Sequence, residues 1–355
     1  MATYDLIADL PLKIDSLVLE GRELQMGEFT RKTTLIHLDG AGERGTGEDV
    51  VYDPDDHDIL QAAGGDSIDL AGDWTIDSFS KRLDEVSLWP KEPERGDVSR
   101  DYRRWAFESA ALDLALRQGG RSLADAVGRE PRPVNYVVSM RLIAPDEGEA
   151  ETAQRAVDLL AKYPGTGLKL DPTNTWTEEL VDELATLGVV NSLDFKSFYK
   201  GTPVDVVTDI DLYTMCIEGF PDAWYEDPDV TDETRPLLDP VAGQITWDAP
   251  IHSVADVLER PWKPRMVNIK PSRFGPLSKL FEMYDWCESE DVGAYGGGQT
   301  ELGVGRGHIQ YLASLFHPDT PNDTAPGGFN NPVLGDDLPR SPLEPTIDAT
   351  GFRWI

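Results

Sequence analysis

Five charged side chains close five successive apolar runs: Lys169, Asp194, Glu226, Asp248 and Lys270. The intervals between them are 25 (194−169), 32 (226−194), 22 (248−226) and 22 (270−248), each about the length of one β/α unit. A lysine that ends a buried strand is costly to desolvate unless it is paired or used. At the carboxyl ends of adjacent parallel strands, all five side chains would converge on one mouth. Three carboxylates there make an oxygen-donor set for a hard cation such as Mg²⁺, which leaves positions open for substrate oxygens. Two lysines flanking that cation could take and return a proton, because nearby positive charge lowers an amine pKa. The cation would stabilise the charge that builds on a substrate carboxylate as its α-proton leaves. A single charged strand end is more often a helix cap or a loop residue. The ordered set Lys, Asp, Glu, Asp, Lys is far harder to obtain by accident.

The elements that would position this set read as alternating strand and helix. Strand patterns fall at 134–142, 167–171, 189–194, 223–226, 244–248, 267–270 and 292–295. Helical patterns follow them at 149–162, 177–187, 204–217, 254–258, 277–288 and 305–316. Such repetition predicts a parallel α/β fold. A barrel is favoured over a doubly wound sheet because the charged residues recur at most strand ends instead of at one crevice. Residues 1–130 read differently, with strands at 17–20 and 31–40, a further strand or loop at 45–50, a polar loop at 53–58 and helices at 75–86 and 99–118. Ser99 is the expected N-cap of the last helix and Gly119-Gly120 its stop. The expectation is an α+β domain over 1–130, a β/α barrel over 131–334, and a tail at 335–355 that packs back on the first domain.

Thirty-two basic residues stand against 65 acidic ones, a formal charge of −33, which argues against nucleic acid and anionic membrane surfaces as partners. A surface suited to high salt and an ordinary acidic enzyme explain this charge equally well. No apolar run approaches membrane-spanning length and the first residues lack a secretory pattern, so a cytoplasmic protein is expected. Cys216 and Cys287 form no metal or disulfide framework and read as buried thiols. His308 falls within a helical pattern and reads as structural.

Short motifs then resemble the enolase superfamily, muconate-lactonizing subgroup, over nearly the whole chain. Ile269-Lys270-Pro271-Ser272 is similar to the I-K-P-S of o-succinylbenzoate synthases, and the run from Gly297 to Arg306 to their G-G-x-x-E-x-G-x-G-R. Gly167-Leu168-Lys169 resembles a K-x-K strand with its first lysine replaced, and Glu226-Asp227-Pro228 an E-x-P metal strand. Gly45-Thr46-Gly47-Glu48 and Ala111–Leu116 resemble shorter motifs of the cap and of the helix that joins cap to barrel. The resemblance implies a modified (β/α)₇β TIM-type barrel with an α+β cap, Mg²⁺ on Asp194, Glu226 and Asp248, and Lys169 and Lys270 as an acid/base pair. It implies a small carboxylate substrate contacted by Met26 and Phe29 of a cap loop and by Gly298 and Glu301, and Lys196 is a further candidate contact. It leaves a homo-oligomer open.

The implied reaction is removal of a proton α to a carboxylate through an enediolate, foremost a dehydration like that of o-succinylbenzoate synthase. The alternatives are racemisation or epimerisation of N-acylamino acids or dipeptides, cycloisomerisation, or an inactive binding protein on the same barrel. His317-Pro318-Asp319-Thr320, read as the strand after the seventh helix, lacks the D-x-D of dipeptide epimerases. Two departures bear on the reaction: Lys196 stands where the family has Asn, and Ala249 where it often has Glu. Lys196 faces the same way as Asp194 by strand alternation, where it could weaken the metal site or bind a substrate anion. A solvated loop lysine is the plainer reading.

Overall fold

The computed structural model describes residues 2–27, 29–93, 96–144, 150–202, 204–331 and 333–355. The N-terminal part carries five strands: β1 (Pro11–Ile14), β2 (Ser16–Met26), β3 (Phe29–Gly40), β4 (Glu43–Asp49) and β5 (Gly72–Thr75). β2, β3 and β4 form an antiparallel meander, while β1 pairs antiparallel with β5. The polar run 53–58, expected as a loop, opens the helix Pro54–Ala63. Asp53 caps it by accepting the N–H of Asp55, and Pro54 sits where the first turn needs no N–H.

The helix Asp97–Gln118 lies against β4 and buries nearly its whole middle, including Ala106, Ala110 and Ala111. Its N-cap is Gly96, and Ser99 is buried within the first turn, so the cap expected at Ser99 is displaced outward. The contact with β4 requires glycine: a Cβ on Gly47 would meet the Ala106 carbonyl oxygen at 1.9 Å, and one on Gly45 the Ala110 oxygen at 2.2 Å.

Seven further strands are parallel. β6 (Val137–Met140), β7 (Gly167–Leu170), β8 (Val190–Asp194), β9 (Trp224–Glu226) and β10 (Ile245–Thr246) form one sheet, and β11 (Met266–Ile269) pairs with β12 (Gly293–Gly296). The Asn268 N–H donates to Trp247 O (3.0 Å), which joins the two sheets at one side. At the other, Asp323 N–H donates to Gly296 O (2.8 Å) and Val137 N–H to Asn322 O (2.8 Å). Strands and intervening helices give the TIM-type architecture with an N-terminal α+β cap.

Three local expectations shift. The helix expected from Val204 begins at Ile210, where the Asp209 side chain caps it. The helix expected from Glu149 runs Gln154–Lys162, and Glu149 itself lies outside the described residues. The stretch 317–320 is not the last strand. The Thr320 hydroxyl turns back to the carbonyls of Ala294 and His317, and the chain joins the sheet only at Asn322-Asp323.

The C-terminal tail meets the cap helix at one carboxylate. Asp113 accepts the N–H groups of Thr46 (2.9 Å) and Phe352 (2.9 Å) and pairs with Arg353 (2.8 Å). Phe352 stacks on His308 at 4.2 Å between ring centroids. Burial pushes both His308 and His317 down to about 4. An unfolded chain takes up these two protons near pH 6.5, whereas the folded one resists until near 4. Stability should therefore fall as pH drops from about 6.5 towards 4, by roughly 1.4 kcal/mol per pH unit for each histidine. Urea midpoints between pH 7 and pH 5 check this, with His317→Gln expected to flatten the slope. No helix among the described residues is long and apolar enough to cross a membrane.

Candidate metal and acid/base site

The strand register builds the site. Asp194 and Glu226 are direct neighbours across β8 and β9, and Thr246 of β10 pairs with Glu226, so Asp248 follows two residues beyond. One carboxylate oxygen from each of Asp194, Glu226 and Asp248 lies within 4.8 Å of the others, and all three side chains are fully buried. Buried carboxylates need counter-charge, and this cluster is ringed by it. Lys169, from β7, donates to Glu226 Oε1 and lies 3.2 Å from Asp194 Oδ2 and 3.7 Å from Asp323 Oδ2. Lys270, after β11, holds Asp248 Oδ2 at 2.9 Å, and Arg273 holds Asp248 Oδ1 at 2.5 Å. The two lysines thus stand at opposite ends of the carboxylate row.

The electrostatics follow from these pairs. Burial pushes the Lys169 ammonium down, but Glu226, Asp194 and Asp323 outweigh it and hold it well above the ordinary lysine range. The lowering expected for Lys169 belongs to the cation-bound site; the carboxylates by themselves raise it. Burial opposes ionisation of Asp194, yet Lys196 and Lys169 hold its carboxyl below the usual range; Arg273 and Lys270 do the same for Asp248. Glu226 is pushed up, by burial and then by Asp194, Asp248 and Asp227.

Lys196 belongs to the cluster and is not a solvated loop lysine. Its Nζ donates to Asp194 Oδ2 and lies 3.3 Å from Asp171 Oδ1, while its backbone N–H donates to Asp194 Oδ1 (3.1 Å). Glu301 is buried at the mouth loop after β12, where Arg306 pairs with it at 2.9 Å. A Cβ on Gly298 would meet Glu301 Oε2 at 2.6 Å, so the chain at Gly298 packs on that pair. It is Gly297 that packs against Lys270, since a Cβ there would meet Lys270 Cε at 2.6 Å. Met26 and Phe29 face each other at the tip of the β2–β3 hairpin, with Phe29 exposed. No ion pair or hydrogen bond among the described residues ties either one to the carboxylate cluster.

Several participants were not singled out from the sequence. Asp227 accepts the N–H groups of Asp248 (2.9 Å) and Ala249 (2.8 Å), and so fixes the chain that carries Asp248. Its carboxyl is pushed up to about 7 by burial and by Asp248 and Asp194. The Tyr295 hydroxyl, from β12, donates to Glu226 Oε2. Tyr199 accepts from Arg273 Nη2 (3.0 Å). The signal for Tyr295 and Asp171 was available: each stands at the end of a barrel strand, as the five chosen residues do. Asp323 was hidden by the misplaced last strand.

Glu48 ties the cap to this mouth. Its carboxylate accepts the N–H groups of Leu302 (2.7 Å), Gly303 (2.9 Å) and Gly305 (2.8 Å), where the helix Val304–Phe316 begins. Arg31, fully buried, donates to the carbonyls of Val50 (2.8 Å) and Gln299 (2.8 Å), bridging the same two parts.

The donor set suits a divalent cation. Three buried carboxylates supply hard oxygen ligands, and the excess negative charge now falls to lysine ammoniums. Lys196 on an oxygen of Asp194 works against metal binding, as do Lys169, Lys270 and Arg273 on the other ligand oxygens.

Two family descriptions match, "Domain of unknown function (DUF8230) N-terminal domain" over residues 5–126 and "Domain of unknown function (DUF8230) C-terminal domain" over 130–331. The chain is 27% identical over 231 residues to an o-succinylbenzoate synthase of Bacillus subtilis (strain 168), a match covering 63% of this chain and 58% of that protein. It is 28% identical over 231 residues to an N-succinylamino acid racemase of Amycolatopsis sp, covering 62% and 59%. The matches thus span less than two thirds of these relatives' own length. Among solved structures, a dipeptide epimerase from Enterococcus faecalis V583 superposes with a TM-score of 0.68 at 17% identity, over 96% of this chain and 99% of that one. A dipeptide epimerase from Methylococcus capsulatus complexed with Mg ion gives 0.65 at 18% identity, over 88% and 89%. The chain shares its fold with a member of the enolase superfamily from Listeria innocua Clip11262 as well (TM-score 0.62, 18% identity, over 88% of this chain and 85% of that one), and it belongs to the DUF8230 family, matched by both of its domains.

Proposed function

We propose that this protein is a Mg²⁺-dependent enzyme that removes a proton α to a carboxylate, in the manner of an o-succinylbenzoate synthase. The observation that carries the reading is the row of three buried carboxylates from adjacent strands, bracketed by Lys169 and Lys270. Asp194, Glu226 and Asp248 would hold the cation. When bound, it supplies a Lewis acid for a substrate carboxylate and relieves the negative charge that keeps Lys169 protonated. Lys169 then takes the α-proton at Nζ. Lys270 keeps its charge on the opposite side, where it offsets negative charge on the substrate. Asp227 and Tyr295 keep Asp248 and Glu226 in register. A second reading is racemisation of an N-succinylamino acid, in which Lys169 keeps the proton it takes and Lys270 delivers one of its own to the opposite face. The bracketing lysines serve it equally, and one relative carries that activity.

The test is incubation with Mg²⁺ in D₂O. The synthase substrate is followed by its absorbance, and N-succinylamino acids by loss of the α-proton signal. Metal-dependent turnover of the first, stopped by chelator, is the expected result. Exchange with the second alone would select the racemase. A protein that binds Mg²⁺ and processes neither would sink the reading and leave an inactive binding protein.

A further inference from the structure

We propose that Asp171 is a positioning residue for the metal site, receiving the Lys196 ammonium when a divalent cation takes Asp194. The inference rests on the metal-site reading above and adds a part to it. Lys196 follows β8 with a left-handed backbone (φ 55°), which folds it back over the strand end. Its N–H and its Nζ engage the two oxygens of Asp194 separately. Asp194 Oδ2 also lies 3.2 Å from Lys169 Nζ. A cation ligated through this carboxylate needs a lone pair that the two ammoniums now occupy.

Lys196 has a second place to go. Asp171 Oδ1 is 3.3 Å from the same Nζ, is itself buried and accepts no hydrogen bond. Asp171 lies just past β7, two residues after Lys169, and its backbone is pinned by its N–H donating to Met140 O (3.1 Å). A lysine side chain has enough freedom to exchange one acceptor for the other without backbone movement. In either position the ammonium stays paired with a carboxylate, so no buried charge is left alone. Without Asp171, a cation arriving at Asp194 would leave Lys196 beside it with no other carboxylate among the described residues within 4.0 Å to hold it off.

The experiment is a double-mutant cycle on metal affinity, with no substrate present. Free Mn²⁺ is followed by electron paramagnetic resonance and Mg²⁺ by calorimetry, for the wild type, Lys196→Asn, Asp171→Asn and the double variant, each checked for folding by thermal melting. Lys196→Asn should tighten binding about tenfold, and Asp171→Asn should weaken it about tenfold in the wild type but less than about twofold in the Lys196→Asn background. Equal weakening in both backgrounds would make Asp171 a structural residue and overturn the proposal. So would a wild type that binds no metal beside a Lys196→Asn variant that does, since Lys196 would then be a permanent occupant of a sound site. Absence of binding in every folded variant would reject the metal-site reading, and this inference with it.

Discussion

Replacing Lys169 by alanine is expected to lower metal-dependent proton abstraction by about 10²–10⁴-fold, the range for loss of a positioned general base. The physical case is its position. Lys169 is almost completely buried and touches Glu226 and Asp194, two of the three carboxylates that would hold the cation, so its Nζ borders the proposed metal site. Lys169→Arg separates the chemical role from the electrostatic one. Arginine keeps the positive charge among the carboxylates, and therefore the fold, but does not release a proton near neutral pH. Lys169→Arg should melt as a folded protein and Lys169→Ala at a lower temperature, because it removes a counter-charge from buried Glu226 and Asp194, and both should be inactive. Lys270→Ala divides the two reaction readings: a racemase loses exchange in one stereochemical direction to the same extent, whereas a synthase that uses Lys270 only for charge loses less. Activity retained in Lys169→Arg would remove Lys169 from the role of base.

The second large effect concerns stability. Arg103→Ala should destabilise the protein by about 3–5 kcal/mol, because it strands a buried carboxylate. Arg103 is fully buried in the cap; it pairs with Asp49 at 2.7 Å, donates to Asp56 O (3.0 Å) and Leu88 O (3.2 Å), and lies over the Trp89 ring at 3.6 Å. His57, 4.0 Å from Asp49, offers poor compensation, since burial pushes its imidazole down towards the neutral form. The pair Arg103→Met with Asp49→Asn removes both charges and keeps most of the volume, so it should recover a large part of the loss. Urea denaturation at pH 7 provides the numbers. A single-variant loss below about 1 kcal/mol would mean that Asp49 is paired by something else.

Much of the fold was legible because five of the seven parallel strands are short apolar runs closed by a charged residue, with helical patterns between them. Asp194, Glu226 and Asp248 could be chosen from their places at successive strand ends, and the structure brings them together. The last strand was misplaced because only Asn322 and Asp323 join the sheet, too short a run to show any period. The helix at Pro54–Ala63 was missed although its signal is local: Asp53-Pro54 is a cap followed by a first-turn proline.

The sequence by itself determined which residue ends each strand and which face it takes, because a strand's side chains alternate whatever surrounds it. It also determined the close seating of the cap helix, since Gly45 and Gly47 leave no side chain to hold it off. Only the tertiary structure decided who pairs with whom. Lys196 reaches both Asp194 and Asp171, Tyr295 reaches Glu226 from three strands away, and Glu48 of the cap caps a barrel helix. These contacts depend on the lateral stagger of the strands and on how the cap docks. Both are set by packing summed over many residues, which no local pattern in the chain encodes.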